Sequence, residues 1–488
     1  MHAYRKCEYV LLFALYFILT LPWSDAQATD APVAMTGETE IEFEAQSGKT
    51  VSAFRGRLEV PANWQDPTDQ RISLNYIRFP QTHGTGGTPI VYLAGGPGGS
   101  GSATARGRRF PLFMAMREFG DVIAFDQRGT GDSSRAPSCT SNQVIEDNTR
   151  YTESELDALY RTAAEQCISQ WAEQGIRPQD WTSLQSVGDL DALRRLLNAE
   201  KISLWGISYG SHLALAALKS MNDRVERLIL ASVEGLDQTV KRPSETDAYF
   251  SRLQTAINGI PSLQQRHPDV IGLMRVVHAG LGESPLAVTV TPRDAEAYEF
   301  LLEKHDLQRI ASMMIADPGT ALRLLDLYRA LAAEYTEPMA GLLANFHRHD
   351  APIDFDAMPF FMDIASGIGS GALQQFEQES EHALLGQALN FPMPQLHDVV
   401  PDLDLGDAFR RPPVSSVPAL VLIGTLDGRT YPDSQRAAVS GLVNAEITII
   451  ENAGHNLFMS SPAVTERILA FMRAEPGVAH ISVEDWSQ

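Results

Sequence analysis

Three short segments, far apart in the chain, carry the residue types of a base-activated hydroxyl nucleophile. They are Gly206-Ile207-Ser208-Tyr209-Gly210, Gly424-Thr425-Leu426-Asp427-Gly428 and Glu451-Asn452-Ala453-Gly454-His455. A serine hydroxyl attacks a carbonyl only when a base takes its proton; His455 can be that base, and Asp427 can hold the imidazole in the right tautomer and stabilise its cation. Such a set performs acyl transfer through a covalent intermediate. Each residue alone has a plainer reading: a small-residue turn for Ser208, a surface-loop histidine for His455, and a turn-forming Asp before Gly for Asp427. Together, and in this order, they favour the chemistry.

The elements that must position them are legible in the surrounding pattern. Ile202 to Trp205 is a short apolar run fit for a buried strand, and Leu213, Ala214, Ala217, Leu218 and Met221 recur at helical spacing. A strand thus turns sharply into a helix at Ser208, the context a nucleophile elbow requires, with the positive end of the helix aimed at the same point. Ala419–Ile423 and Ala445–Ile450 read as strands ending just before Asp427 and His455. Catalytic groups of open α/β sheets gather at the carboxyl ends of strands, so all three residues are expected on one rim.

Other strands are expected at Phe54–Val60, Ile72–Phe79, Pro89–Ala94, Val122–Phe125 and Val225–Ala231, with helices at Tyr151–Trp171 and Val187–Leu197. Continuous apolar strands alternating with helices predict a mostly parallel sheet covered by helices on both faces. From Gln238 to about Arg411 the rhythm becomes helical, with helices expected at Asp247–Ile257, Asp294–Met313, Gly319–Ala333 and Leu373–Leu389. This predicts an inserted helical cap over 237–411, between a first core part over 29–236 and a second over 412–488. The strand ending at Ala94 opens into Gly95-Gly96-Pro97-Gly98-Gly99-Ser100-Gly101. No lysine follows as a phosphate-binding loop needs. An oxyanion hole explains the glycines better, formed by the amide of Gly96 or its neighbour with that of Tyr209.

The chain has 488 residues, with 39 Lys plus Arg against 61 Asp plus Glu. A net charge of −22 opposes nucleic acid and anionic membrane as partners. Residues 1–28 read as a signal peptide: Arg5 and Lys6, an apolar run from Tyr9 to Leu21, and a small-residue site at Ala26-Gln27-Ala28. An uncleaved anchor is the alternative. Export to a periplasmic or extracellular compartment leaves Cys139 and Cys167 in the mature chain, and two thiols in an oxidising compartment are expected to pair. His347-Arg348-His349-Asp350 reads as a solvated loop, no metal or cofactor is expected, and Asp126 and Arg128 read as a structural ion pair and loop brace.

With the glycine loop and the triad segments, Asp126-Gln127-Arg128-Gly129-Thr130-Gly131-Asp132-Ser133 completes a set that resembles the prolyl and tripeptidyl aminopeptidase branch of the α/β-hydrolases. The resemblance covers both flanks of the helical block and is weak over the block itself. It implies the α/β-hydrolase fold and a serine aminopeptidase releasing one residue or three from peptides. Ala94 stands where prolyl enzymes often carry His, and Ser211 where they often carry Gly; both departures favour the exported tripeptidyl type. The resemblance also implies acidic anchors for the substrate amine near the cap. Glu234, just past the strand after the elbow, and Asp363, in the apolar Phe360-Phe361-Met362-Asp363, are the candidates, against plain surface or capping acids. The alternatives are an esterase or amidase for small acyl substrates, since one triad cuts either bond, and a peptide-binding protein with a dead triad.

Overall fold

The computed structural model describes residues 34–66, 70–84 and 86–487, so the leader expected over 1–28 lies outside the described residues. In chain order β1 (Ala34–Glu44), β2 (Thr50–Pro61), β3 (Arg71–Phe79), β4 (Ile90–Leu93) and β5 (Val122–Asp126) come first. The short β6 (Cys139–Val144) precedes β7 (Ile202–Ser208) and β8 (Val225–Val233). Then come β9 (Leu286–Val290), β10 (Tyr298–Leu302), β11 (Pro352–Phe355), β12 (Ala419–Gly424), β13 (Ala445–Glu451) and β14 (His480–Ser482). Ten of these form one sheet in the order β1-β2-β3-β5-β4-β7-β8-β12-β13-β14. Pairing is antiparallel from β1 to β5 and parallel from β5 to β14.

Every residue of β4, β5 and β12 is buried, as the continuous apolar runs require for strands covered on both faces. Successive side chains of a strand point to opposite faces, and the packing follows that period. Val91 and Leu93 of β4 join one apolar core, while Ile90 and Tyr92 join the other. Tyr92 meets Trp205 of β7 edge to face at 4.8 Å between ring centroids.

A third core fills the segment between β8 and β12. It unites Tyr249, Phe250, Leu324 and Tyr328 with Leu426 and Tyr431, which flank Asp427. Helices Pro243–Asn258, Lys304–Met314 and Pro318–Ala332 stand near where the sequence pattern puts them. Two expected helices are shorter. Asp294–Met313 divides into β10, paired with β9, and a helix whose first turn is closed by Glu303 and Asp306. Leu373–Leu389 is helical only to Ser380. Helix Ala357–Ser366 also departs from a purely separate block, because Phe360, Phe361 and Met362 pack into the core beneath the sheet.

Cys139 and Cys167 form a disulfide with Cα atoms 5.5 Å apart, tying β6 to helix Glu153–Glu173. The same β6 pairs with β11, so this covalent link anchors part of the inserted segment as well.

Candidate active site

Ser208 ends β7 in a backbone conformation few residues adopt, φ 54° and ψ −129°, and the helix Tyr209–Met221 begins at the next residue. Left-handed backbone at a non-glycine residue is strained, and here neighbouring backbone over-determines it. A Cβ on Gly206 would come within 2.5 Å of the Gly210 carbonyl oxygen, and one on Gly210 within 2.1 Å of the Leu93 carbonyl oxygen. Both glycines of Gly-x-Ser-x-Gly are therefore required by close approach of chain to chain.

The glycine loop after β4 lies directly against the serine, since a Cβ on Gly95 would sit 3.1 Å from the Ser208 Cβ. Gly96, at φ +127°, follows. Asp126, at the end of β5, braces this loop by accepting from Ser100 Oγ (2.7 Å), Ser102 N (2.9 Å) and Ser102 Oγ (2.7 Å), and it also accepts from Asp132 N (3.0 Å). Arg128 does not pair with it. Its guanidinium instead meets the Asp189 carboxylate at 2.7 Å, with both side chains fully buried, because the turn at Gly129 carries it toward helix Ser183–Leu196. The brace expected of Asp126 exists; the ion pair expected between Asp126 and Arg128 does not.

On the same rim, His455 follows β13 and Asp427 follows β12. His455 Nδ1 lies 3.0 Å from both carboxylate oxygens of Asp427. Asp427 is fully buried and also accepts from Arg429 N (2.8 Å), Thr430 N (2.9 Å) and Thr430 Oγ1 (2.8 Å). Burial alone would raise its pKa, but His455 and the two amides more than offset this and hold it below the ordinary carboxylate value. The His455 backbone is fixed from two sides, by its N–H donating to Ala316 O (2.8 Å) and by Ser232 Oγ donating to its carbonyl (2.7 Å). Ala316 lies in the segment between β8 and β12, which thus touches the histidine loop. Ser208 and His455 line one cavity of about 380 Å³, together with Gly95 and Gly96.

Glu234 stands beside this rim, and Asp363 lies on another element, the helix Ala357–Ser366. Strand register sets Ser208 beside Val233, so Glu234 is the next residue on the neighbouring strand end. It is buried, its amide is held by Ser211 Oγ (2.9 Å), and its carboxylate pairs with Lys241 Nζ at 2.8 Å. Asp363 sits on helix Ala357–Ser366, and no side-chain hydrogen bond holds its carboxyl among the described residues. Its pKa rises from 3.8 to about 8, first through burial and then through the charge of Glu234, with Lys241 acting in the opposite sense. The charge of Glu234 thus acts on the Asp363 carboxyl. Lys241 had no motif to mark it.

The histidine-rich stretch is more than a solvated loop. His347 Nε2 and His349 Nδ1 each lie 2.8 Å from one oxygen of the Asp147 carboxylate, itself almost fully enclosed. Asp147, His349 and Asp350 could bring three ligand atoms within 4.8 Å of one another, away from the residues that line the Ser208 cavity.

A mostly parallel central sheet that places Ser208, Asp427 and His455 at the ends of β7, β12 and β13 has the α/β-hydrolase fold, and the family model described as the alpha/beta hydrolase fold matches residues 88–269. The chain is 32% identical over 187 residues to the serine protease Hip1 of Mycobacterium tuberculosis, a match covering 36% of this chain and 35% of that protein. It is 29% identical over 195 residues to the tripeptidyl aminopeptidase of Streptomyces coelicolor, covering 36% and 34%. To the proline iminopeptidase of Arabidopsis thaliana it is 30% identical over 147 residues, covering 30% and 27%. The chain spans about a third of the length of the curated relatives it matches. The chain has the α/β-hydrolase fold, and the relatives it resembles over this stretch are named as peptidases. No helix of the described residues is long and apolar enough to cross a membrane.

Proposed function

We propose that the protein is an exported serine aminopeptidase that removes one residue or a short peptide from the N-terminus of peptides through an acyl-enzyme on Ser208. The observation that carries this reading is the buried Glu234, one residue past the Val233 that pairs with Ser208, on the rim where His455 Nδ1 lies 3.0 Å from Asp427. An ester hydrolase needs no such acid, whereas a buried peptide ammonium needs a carboxylate to offset its desolvation. The disulfide supports an oxidising compartment. The segment over 237–411 acts as the cap.

In this mechanism the substrate ammonium binds Glu234 and Asp363, which directs the nearby carbonyl carbon onto Ser208 Oγ. His455 Nε2 takes the hydroxyl proton as the C–O bond forms, and the oxyanion is received by the amides of Gly96 and Tyr209. The tetrahedral intermediate collapses, the C–N bond breaks, and His455 returns its proton to the leaving amine. Water then attacks the acyl-serine with His455 again acting as base, and carboxylate product and free Ser208 result. Asp427 remains ionised throughout.

The test is labelling by an aryl fluorophosphonate followed by peptide mapping. The label should fall on Ser208, and Ser208→Ala should lower turnover of aminoacyl or tripeptidyl anilides by at least about 10⁴-fold with unchanged Tm. A label elsewhere, or near-wild-type turnover in the variant, would remove Ser208 from the chemistry.

A further inference from the structure

The cavity that Ser208 and His455 share carries a charge opposite to that of the whole chain. Arg108 and Arg109 line it, together with Asn456 and Met459, and none of its lining residues is acidic. In a protein of net charge −22, two cations and no anion around a space of about 380 Å³ reverse the local sign. Glu234 and Asp363 are not among its walls.

The two arginines differ in how they are committed. Arg109 is fixed: it donates to the Tyr92 hydroxyl, donates to Asn456 Oδ1 at 2.7 Å, and lies 5.4 Å from the centroid of the Phe458 ring. By holding Asn456 it also holds the residue next to His455. Arg108 is exposed and has neither a hydrogen bond nor an ion pair among the described residues. An uncommitted guanidinium at the edge of a cavity free of carboxylates suits a planar anion, which it can meet with two parallel N–H donors.

The direction of the chemistry says which anion this would be, on the aminopeptidase reading above. His455 must hand its proton to the leaving amine, so the leaving segment lies against His455 and the residues that follow it. Those residues, Asn456 and Met459, are walls of this cavity. A space of that volume is about 9 Å across, room for roughly two extended residues at ~3.5 Å each. We propose that the cavity binds the leaving segment of a short peptide and that Arg108 pairs with its C-terminal carboxylate. The enzyme would then select oligopeptides whose chain ends one or two residues beyond the cut, and a long polypeptide would lose this contact.

The experiment compares di- to hexa-alanine as free acids and as C-terminal amides, with products read by mass spectrometry. At low ionic strength kcat/KM should favour the acid by about five- to tenfold at the lengths that leave one or two residues beyond the cut, since the pair is partly open to solvent. The preference should shrink as salt is added. In Arg108→Gln the acid-to-amide ratio should fall to near one, and Arg108→Lys should retain part of it. Equal rates on acid and amide in the wild type, or an undiminished preference in Arg108→Gln, would overturn the subsite and leave the aminopeptidase reading standing. Cleavage of neither series alongside rapid ester hydrolysis would overturn that reading, and the subsite with it.

Discussion

Asp427 and Asp363 are built to opposite rules. Asp427 is buried with every oxygen engaged: two backbone amides, one hydroxyl and the imidazole converge on it, and its charged form is favoured. Asp363 has a desolvated carboxyl with no side-chain hydrogen bond and a like-charged neighbour, and its neutral form is favoured until about pH 8. A satisfied network keeps its geometry whether or not substrate is present. Glu234 already has the Lys241 ammonium at 2.8 Å, whereas the Asp363 carboxyl, with no such partner, costs stability when it is charged. On the proposed reading, the difference teaches that the reacting groups are fully engaged before binding, while Asp363 is left for the substrate to complete.

Breaking the finished half should have the larger effect. Asp427→Asn leaves the shape but removes the charge that fixes the imidazole, so kcat should fall about 10³- to 10⁴-fold with little change in KM. A loss under tenfold in steady-state kinetics would mean that another group orients His455.

The unfinished half should respond more gently and in a substrate-dependent way. Glu234→Gln and Asp363→Asn should each raise KM for free-amine substrates about ten- to a hundredfold while sparing N-acetylated esters. Asp363 adds a pH signature. Its folded pKa is raised from 3.8 to about 8, so the folded state binds the extra proton and stability declines as pH rises between those values. At neutral pH, thermal melts of Asp363→Asn should therefore show a Tm a few degrees above wild type. The wild-type preference for free over blocked amines should climb with pH toward about 8, and this climb should be absent in the variant. A lower Tm together with an unchanged pH profile would make Asp363 an ordinary structural acid.

The disulfide lies outside the comparison and sharpens it by acting on stability alone. Cys139→Ser with Cys167→Ser opens a loop spanning a sequence separation of 28. In the chain-entropy model this is worth about 3.5 kcal/mol. Denaturant melts should show that loss, while kcat on anilides stays within about twofold of wild type.

How much of this is legible in the sequence depends on whether a feature is local. The elbow, the glycine loop and the strand ends before Asp427 and His455 are contiguous motifs, and each stands where its pattern puts it. The family model reaches only 88–269, so the acid and histidine rest on their own pattern and on the 3.0 Å contact. Features made by long-range packing were harder to read. Arg128 takes Asp189, 61 residues away, instead of its near neighbour Asp126. Lys241 and Arg108 lie in no motif. The Tyr298–Leu302 strand is short, follows charged residues and is revealed by pairing with β9. Glu234 was legible from its place at a strand end, and Asp363 because a carboxylate is conspicuous among Phe360, Phe361 and Met362.

The most direct measurement is cleavage of one short peptide presented twice, with a free N-terminus and with that nitrogen acetylated, followed by chromatography at pH ~7.5. The account predicts N-terminal release from the free peptide and at least about a hundredfold lower kcat/KM for the acetylated one, because only the former offers Glu234 and Asp363 a cation. Equal rates on the two, or cleavage at internal bonds, would contradict it.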